Sequence, residues 1–136
     1  GSAHWPLKPT TPVALFDAPT STWGAGHRGV DLAGSPGQTV HAALAGQIAF
    51  VGQIAGKAVV TVDHGAQRTT YEPVISDLVR GENVAAGAPI GTLATHPSHC
   101  APRSCLHWGL IRASDNAYLD PLTLFGRRPV RLLPPN

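Results

Sequence analysis

A chain of 136 residues is long enough for one domain with a substantial core, and 43% of its residues are hydrophobic. Only 13% are charged, whereas 15 glycines and 13 prolines favour turns and tilt the fold prediction towards all-β. A net charge of +2 gives no argument for a nucleic-acid partner. No apolar run approaches the length of a membrane span, so we predict no transmembrane segment in this stretch.

The chain is divided into three parts. Residues 1–22 are rich in proline and lack periodicity, so we predict an extended segment packed on the domain, with one strand near 13–16. The first two residues, Gly-Ser, resemble a cloning remnant, and an export signal is expected to have been trimmed away. The main domain is predicted over residues 23–126, and residues 127–136 form a basic C-terminal tail.

From residue 40 onward, short strand-like runs are separated by glycine and other turn residues. Residues 58–62 are β-branched and compact, as in a buried strand. A turn at 63–67 followed by the run 68–71 predicts a hairpin. Further strands are predicted at 46–52, 89–93 and 106–112. Because no segment has a sustained helical period, the predicted fold is an antiparallel β-sandwich or open barrel.

A glycine-rich stretch carries the first candidate metal ligands. His27 and Asp31 lie four positions apart, among glycines whose access to positive φ permits a tight turn. A third ligand is predicted at His107, in the apolar run 105–111. Two imidazoles and a carboxylate suit Zn²⁺, and three protein ligands with an open fourth position are typical of a catalytic zinc site.

These residues resemble a known family. His-x-x-x-Asp at 27–31 and x-x-His at 105–107 are similar to the LytM/lysostaphin-like zinc metallopeptidases of family M23. Further motifs match in order: Gly-Val-Asp-Leu-Ala (29–33), Val-Asp-His-Gly (62–65), Thr-Tyr (70–71) and Gly-x-x-Val-x-x-Gly-x-x-Ile-Gly (81–91). The resemblance implies a β-sandwich with long loops around a zinc cleft. It also implies that the three candidate ligands hold the metal and that the substrates are peptides of peptidoglycan stems or cross-bridges.

The resemblance also exposes two departures. In active members the first His of His-x-His acts as the base, and the His of a Tyr-x-His-Leu segment assists at the transition state. Cys105 and Pro73 stand at these two positions. A positioned acid or base contributes about 10²–10⁴-fold, so the substitutions predict weak or no peptidase activity, although such effects do not add.

Three states compete for Cys105. In the first, which we predict, it forms a disulfide bond with Cys100 and closes a small loop. A chain-entropy estimate gives such a bond a stabilisation of about 2 kcal/mol. A disulfide also fits an oxidising compartment. In the second it stays a thiol near the metal. In the third it binds zinc as a thiolate, which gives a closed, structural site with four ligands. The sequence leaves all three open.

Three side chains are candidate replacements for the missing catalytic groups. His96 and His99 lie in the loop before the last motif, which we expect to border the cleft. Glu72 precedes Pro73, but adjacent strand residues point to opposite faces, so Glu72 is expected to need a backbone shift.

Other polar and aromatic residues receive simpler interpretations. Arg28 and Arg103 are candidate contacts for peptide carboxylates. His41 and His64 are predicted to be structural, and Trp108 is predicted to lie in the core.

Three functional hypotheses follow. The first is an extracytoplasmic LytM-like domain (secreted, periplasmic or cell-wall associated) that binds zinc and either peptidoglycan or a cell-wall amidase or other hydrolase, with weak or no peptidase activity. The second is an active zinc metalloendopeptidase that cleaves peptidoglycan peptide bonds with acid/base groups from loop residues. The third is a β-sandwich with a purely structural zinc.

Overall fold

The computed structural model describes residues 2–17, 26–95, 100 and 103–126. Within them the chain forms eleven strands and one 3₁₀ helix, Pro121–Phe125. The strands are β1 (Pro12–Ala14), β2 (Val30–Ala33), β3 (Thr39–His41), β4 (Gly46–Ile54), β5 (Lys57–Asp63), β6 (Gln67–Glu72), β7 (Val74–Ile75), β8 (Asn83–Val84), β9 (Pro89–Leu93), β10 (Cys105–Arg112) and β11 (Tyr118–Leu119). No helix in the described ranges is long and apolar enough to cross a membrane.

The strands form two antiparallel sheets. The larger has the order β1-β2-β10-β6-β5-β4-β8, with β11 paired to β10, and the smaller has the order β3-β9-β7. The predicted all-β, antiparallel fold is therefore confirmed. The predicted hairpin is the β5–β6 pair, and the predicted strand near 13–16 is found as β1, at the edge of the larger sheet.

The β4–β5 hairpin extends further than its sequence pattern indicates. Ile54 pairs with Lys57, which leaves a two-residue turn of Ala55 and Gly56. Both turn residues have positive φ, 52° and 81° respectively. This is the type I′ arrangement, whose twist matches that of the flanking strands. The pair Ala-Gly is a weak signal for such a turn, because alanine rarely adopts positive φ.

Alternating side chains of the larger sheet build the core. Val60 and Val62 on β5 are fully buried, as are Leu106 and Trp108 on β10. The other face of β10 is also largely buried, which makes β10 the central strand of the molecule. Trp108 is thus a core residue, as predicted.

The N-terminal segment closes one side of this core. Leu7 is fully buried within the core cluster. The ring centroids of Trp5 and Trp108 lie 5.9 Å apart, and those of Trp5 and Phe125 lie 4.5 Å apart. Burial of aromatic rings of this size contributes strongly to stability. Residues from both ends of the described chain therefore pack on the central strand.

A buried chain of hydrogen bonds runs from the core to the surface. The Ala43 N–H donates to the Tyr71 hydroxyl (2.9 Å), which lies 2.7 Å from Thr69 Oγ1. Thr69 Oγ1 lies 2.8 Å from His64 Nε2, and His64 Nδ1 donates to the Ala45 carbonyl (2.8 Å). Since the carbonyl only accepts, His64 Nδ1 carries the proton and Nε2 accepts from Thr69. Burial lowers the pKa of His64 and raises the pKa of Tyr71 to about 12. Both side chains are therefore neutral at neutral pH.

Removing the Tyr71 hydroxyl should destabilise the domain. In Tyr71→Phe the buried Ala43 N–H loses its acceptor, and an unsatisfied buried donor costs about 1–3 kcal/mol. We expect a loss of that size in the free energy of unfolding, measured by urea denaturation. Tyr118→Phe is the control, because Tyr118 is exposed and its loss should be small. Equal stability of Tyr71→Phe and the unaltered protein would contradict the proposed hydrogen-bond chain.

Candidate metal centre

The pairing of β2 with β10 brings two of the predicted ligands together. Asp31 lies directly opposite His107 in this antiparallel pair. Opposite residues of an antiparallel pair project to the same face, with Cβ atoms about 4.5–5.5 Å apart. That face points away from the core, which is lined by the alternate residues Val30 and Leu32 of β2.

His27 completes the cluster from the segment before β2. His27 and Asp17 form an isolated antiparallel bridge, which holds this segment against the chain that follows β1. His27 Nε2 lies 3.1 Å from Asp31 Oδ2, and His107 Nδ1 lies 2.7 Å from Asp31 Oδ1. The three ligand atoms lie within 4.8 Å of one another. The residues predicted as metal ligands are thus adjacent in the structure.

The cluster is largely shielded from water. Asp31 is 4% exposed and His107 is 8% exposed. A buried carboxylate needs cationic or hydrogen-bonding partners, since removing a charge from water is costly. Here one carboxylate faces two imidazole nitrogens through separate oxygens, which is a donor set that fits Zn²⁺. The residues present can therefore form a zinc site.

A backbone carbonyl orients the His27 ring. His27 Nδ1 lies 2.9 Å from the carbonyl oxygen of Leu15, just after β1. The carbonyl can only accept, so Nδ1 carries the hydrogen, and in the neutral ring Nε2 presents its lone pair towards Asp31. Metal-binding histidines are commonly fixed in this way through their other ring nitrogen. Sequence patterns gave no signal for this contact, because its acceptor belongs to the backbone.

Gly29 makes room for the His107 ring. A Cβ placed on Gly29 would lie 2.5 Å from the Trp108 carbonyl oxygen, 2.7 Å from His107 Cε1 and 2.8 Å from His107 Nε2. The expectation that glycines supply positive φ near His27 is wrong for Gly29 and Gly34, neither of which has it. Both are needed for close packing, which a glycine next to a strand can also indicate.

A disulfide bond between Cys100 and Cys105 borders the cluster. Cys105 lies opposite Ala33 on β2 and two positions before His107, so its side chain is on the same face as the candidate ligands. The two sulfur atoms and an oxygen of Asp31 lie within 4.8 Å of one another. Of the three states considered for Cys105, the structure has the disulfide.

Glu72 differs from its predicted orientation. It lies directly opposite His107 in the β6–β10 pair, so the two side chains project to the same face. Asp31, His107 and Glu72 therefore form a row across β2, β10 and β6. The expected backbone shift is not required, because Pro73 lies beyond the end of β6 and Glu72 itself takes the site-facing position. Pro73 is buried.

The remaining predicted residues have separate locations. His96 and His99 lie outside the described residues. The Arg28 guanidinium carbon lies 5.4 Å from the centroid of the Tyr118 ring, a cation–π arrangement. Arg103 lines a groove of about 300 Å³ beside Cys100 and Cys105.

The two histidines predicted to be structural, His41 and His64, have such hydrogen bonds. His41 Nδ1 donates to the Gly87 carbonyl at 3.0 Å. His64 belongs to the buried chain of hydrogen bonds that continues through Thr69 to Tyr71.

Alanine at position 29 should weaken metal binding. The added Cβ collides with the His107 ring and the Trp108 carbonyl, so either the ring or β10 must move. We expect at least about tenfold weaker zinc affinity, similar to the effect of disturbing residues that orient metal ligands. Competition with a chromogenic chelator measures this affinity.

Gly34→Ala is the matched control. Its Cβ meets Leu93 and Leu7 at 2.7 and 2.9 Å, side chains that are not part of the cluster. It should therefore lower stability without changing zinc affinity. Equal zinc affinities for the two variants would contradict the role assigned to Gly29.

Comparison with known proteins shows which family and which relatives this sequence matches. Residues 25–121 match peptidase family M23. The uncharacterized protein Rv2891 of Mycobacterium tuberculosis (strain ATCC 25618 / H37Rv) is 46% identical over 134 residues, which cover 96% of this chain and 54% of that protein. The chain thus spans about half the length of this relative.

Solved structures share the fold. A zinc containing peptidase from Vibrio cholerae has a TM-score of 0.70 and 22% identity, with 88% of this chain and 39% of that chain covered. A chain in the crystal structure of the SpoIIIAH and SpoIIQ complex has a TM-score of 0.73 and 18% identity, with 90% of this chain and 99% of that chain covered. The family match extends over more than half of the sequence, and the predicted family is therefore confirmed: the chain belongs to peptidase family M23.

Proposed function

We propose that this chain is an extracytoplasmic, cell-wall-associated M23 domain that binds zinc and peptidoglycan but has weak or no peptidase activity. One observation carries the proposal. His27 and His107 both face the carboxylate of Asp31. The positions of the two catalytic histidines of active family members hold a disulfide-bonded Cys105 and a buried Pro73. Metal binding is thus supported by the geometry, whereas proton transfer by the residues at positions 73 and 105 is not.

His27, Asp31 and His107 would hold the zinc through Nε2, the carboxylate and Nδ1. Bound zinc would polarise a carbonyl group and lower the pKa of a water molecule. The remaining steps of hydrolysis require a group that takes up and returns a proton. A disulfide sulfur is not a base at neutral pH, and proline has no titratable side chain.

The cysteine pair and the surroundings of the site support the extracytoplasmic location and the cell-wall partner. Disulfides persist mainly in oxidising compartments outside the cytoplasm. The groove beside the disulfide carries Arg103, whose guanidinium suits a peptide carboxylate. A protein is a further class of partner, and we propose a cell-wall hydrolase in that role. A chain of the same fold is known in a complex of SpoIIQ with SpoIIIAH.

A second candidate function is an active zinc endopeptidase with Glu72 as its base. The register favours it, because Glu72 lies opposite His107 and on the same face. A carboxylate can act as a general base in hydrolysis. Glu72 and Asp31 flank His107 from the two neighbouring strands. A water molecule between Glu72 and the candidate ligands would therefore lie next to both the base and the metal-binding residues.

One experiment separates the two candidates. The zinc-treated protein is incubated with purified peptidoglycan, and both the sedimented protein and the newly released amino groups are measured. We expect the protein to sediment with peptidoglycan and amino-group release to stay at the background of a no-protein sample.

Zinc-dependent release that falls by about 10²–10⁴-fold in Glu72→Gln would instead favour the endopeptidase. Asp77→Asn is the control, because Asp77 is exposed and lies in the segment after β7. A protein that neither sediments with peptidoglycan nor releases amino groups contradicts both candidates.

A further inference from the structure

The carboxylate of Asp31 belongs to two clusters of potential ligands. One contains His27 and His107, and the other contains the sulfur atoms of Cys100 and Cys105. In each cluster the ligand atoms lie within 4.8 Å of one another. The disulfide therefore adjoins the site that we assign to zinc.

Strand pairing keeps Cys105 at this position independently of the disulfide. Cys105 is the first residue of β10 and pairs with Ala33 on β2. His107, two positions later, has its side chain on the same face. Cys100 lies outside any strand. Breaking the disulfide would free Cys105 without removing it from the site.

We propose that the Cys100–Cys105 disulfide sets the number of protein ligands at the metal site. In the oxidised protein His27, Asp31 and His107 leave a fourth position open. In the reduced protein the Cys105 thiolate takes that position and closes the site. The inference rests on the proposed zinc site and adds to it a redox-dependent fourth ligand.

The chemistry requires a two-electron reductant, and a dithiol serves as the example. One thiolate of the dithiol attacks the sulfur of Cys100, which is more exposed than the 1% exposed Cys105 and lines the groove of about 300 Å³. The S–S bond breaks, Cys105 leaves as a thiolate, and a mixed disulfide forms at Cys100. The second thiol of the reductant then displaces Cys100, so the reductant ends as a disulfide and has supplied two electrons. Of its two protons, one ends on Cys100 and the other is released to solvent, because Cys105 stays a thiolate.

The freed sulfur is a preferred zinc ligand. Cysteine thiolates bind Zn²⁺ strongly, and four protein ligands are the pattern of structural zinc sites. The closed site has no position for water or a substrate carbonyl. Reduction would therefore retain the metal more tightly and at the same time abolish any residual reaction that depends on an open position.

Cobalt substitution tests the proposal without measuring activity. Cys100→Ser leaves Cys105 as a thiol without added reductant, whereas Cys105→Ser removes the proposed ligand and leaves Cys100. The unaltered, oxidised protein and both variants are titrated with Co²⁺ under argon. The absorption spectrum reports the ligands, because a thiolate bound to Co²⁺ gives a near-ultraviolet charge-transfer band.

We expect the charge-transfer band in Cys100→Ser and in the unaltered protein after reduction with a phosphine, but not in the oxidised protein or in Cys105→Ser. The Co²⁺ affinity of Cys100→Ser should exceed that of Cys105→Ser by at least about tenfold.

Two results would overturn the inference. Co²⁺ bound by Cys100→Ser without a charge-transfer band would show that Cys105 is not a ligand, while the proposed three-ligand site would stand. No Co²⁺ bound by the oxidised protein or by either variant would reject the metal site and, with it, the fourth ligand.

Discussion

The antiparallel pairing of β2 with β10 is the interaction on which the site depends. It places Asp31 opposite His107, and the neighbouring β6–β10 pairing adds Glu72 to the same row. A shift of one residue in either register would turn one member of the row into the core, because strand side chains alternate between faces. The core residues Val30 and Trp108 resist such a shift, since both are fully buried on the opposite face. Packing of the apolar face thus fixes the chemistry of the polar face.

Residues outside this pair refine the geometry. The carbonyl of Leu15 orients His27, and the missing side chain of Gly29 accommodates His107. The segment that holds Leu15 is itself anchored by the pairing of β1 with β2 and by the burial of Leu7. The N-terminal segment is therefore part of the support of the candidate metal site.

The sequence was sufficient to predict the fold class, the family and the three residues that meet at the site. Compact β-branched runs such as 58–62 carry a strong local signal, and the predicted strand at 89–93 has the observed bounds. The orientation of Glu72 could not be predicted, because it depends on where β6 ends and on its register with β10. The Leu15 contact joins distant parts of the chain through a backbone atom, which leaves no trace in residue types. His96 and His99 remain predictions, since they lie outside the described residues.

In the proposed function, a carboxylate that faces two imidazoles binds the metal, and the residues at positions 73 and 105 reduce proton transfer. Isothermal titration of the oxidised protein with Zn²⁺, beside Asp31→Asn, tests the first of these claims most directly. Asparagine keeps the shape of the side chain but removes the negative charge that both imidazoles face. We expect one zinc per chain for the unaltered protein and no measurable binding for Asp31→Asn. Absence of binding to the unaltered protein, or equal binding to both, would contradict the account.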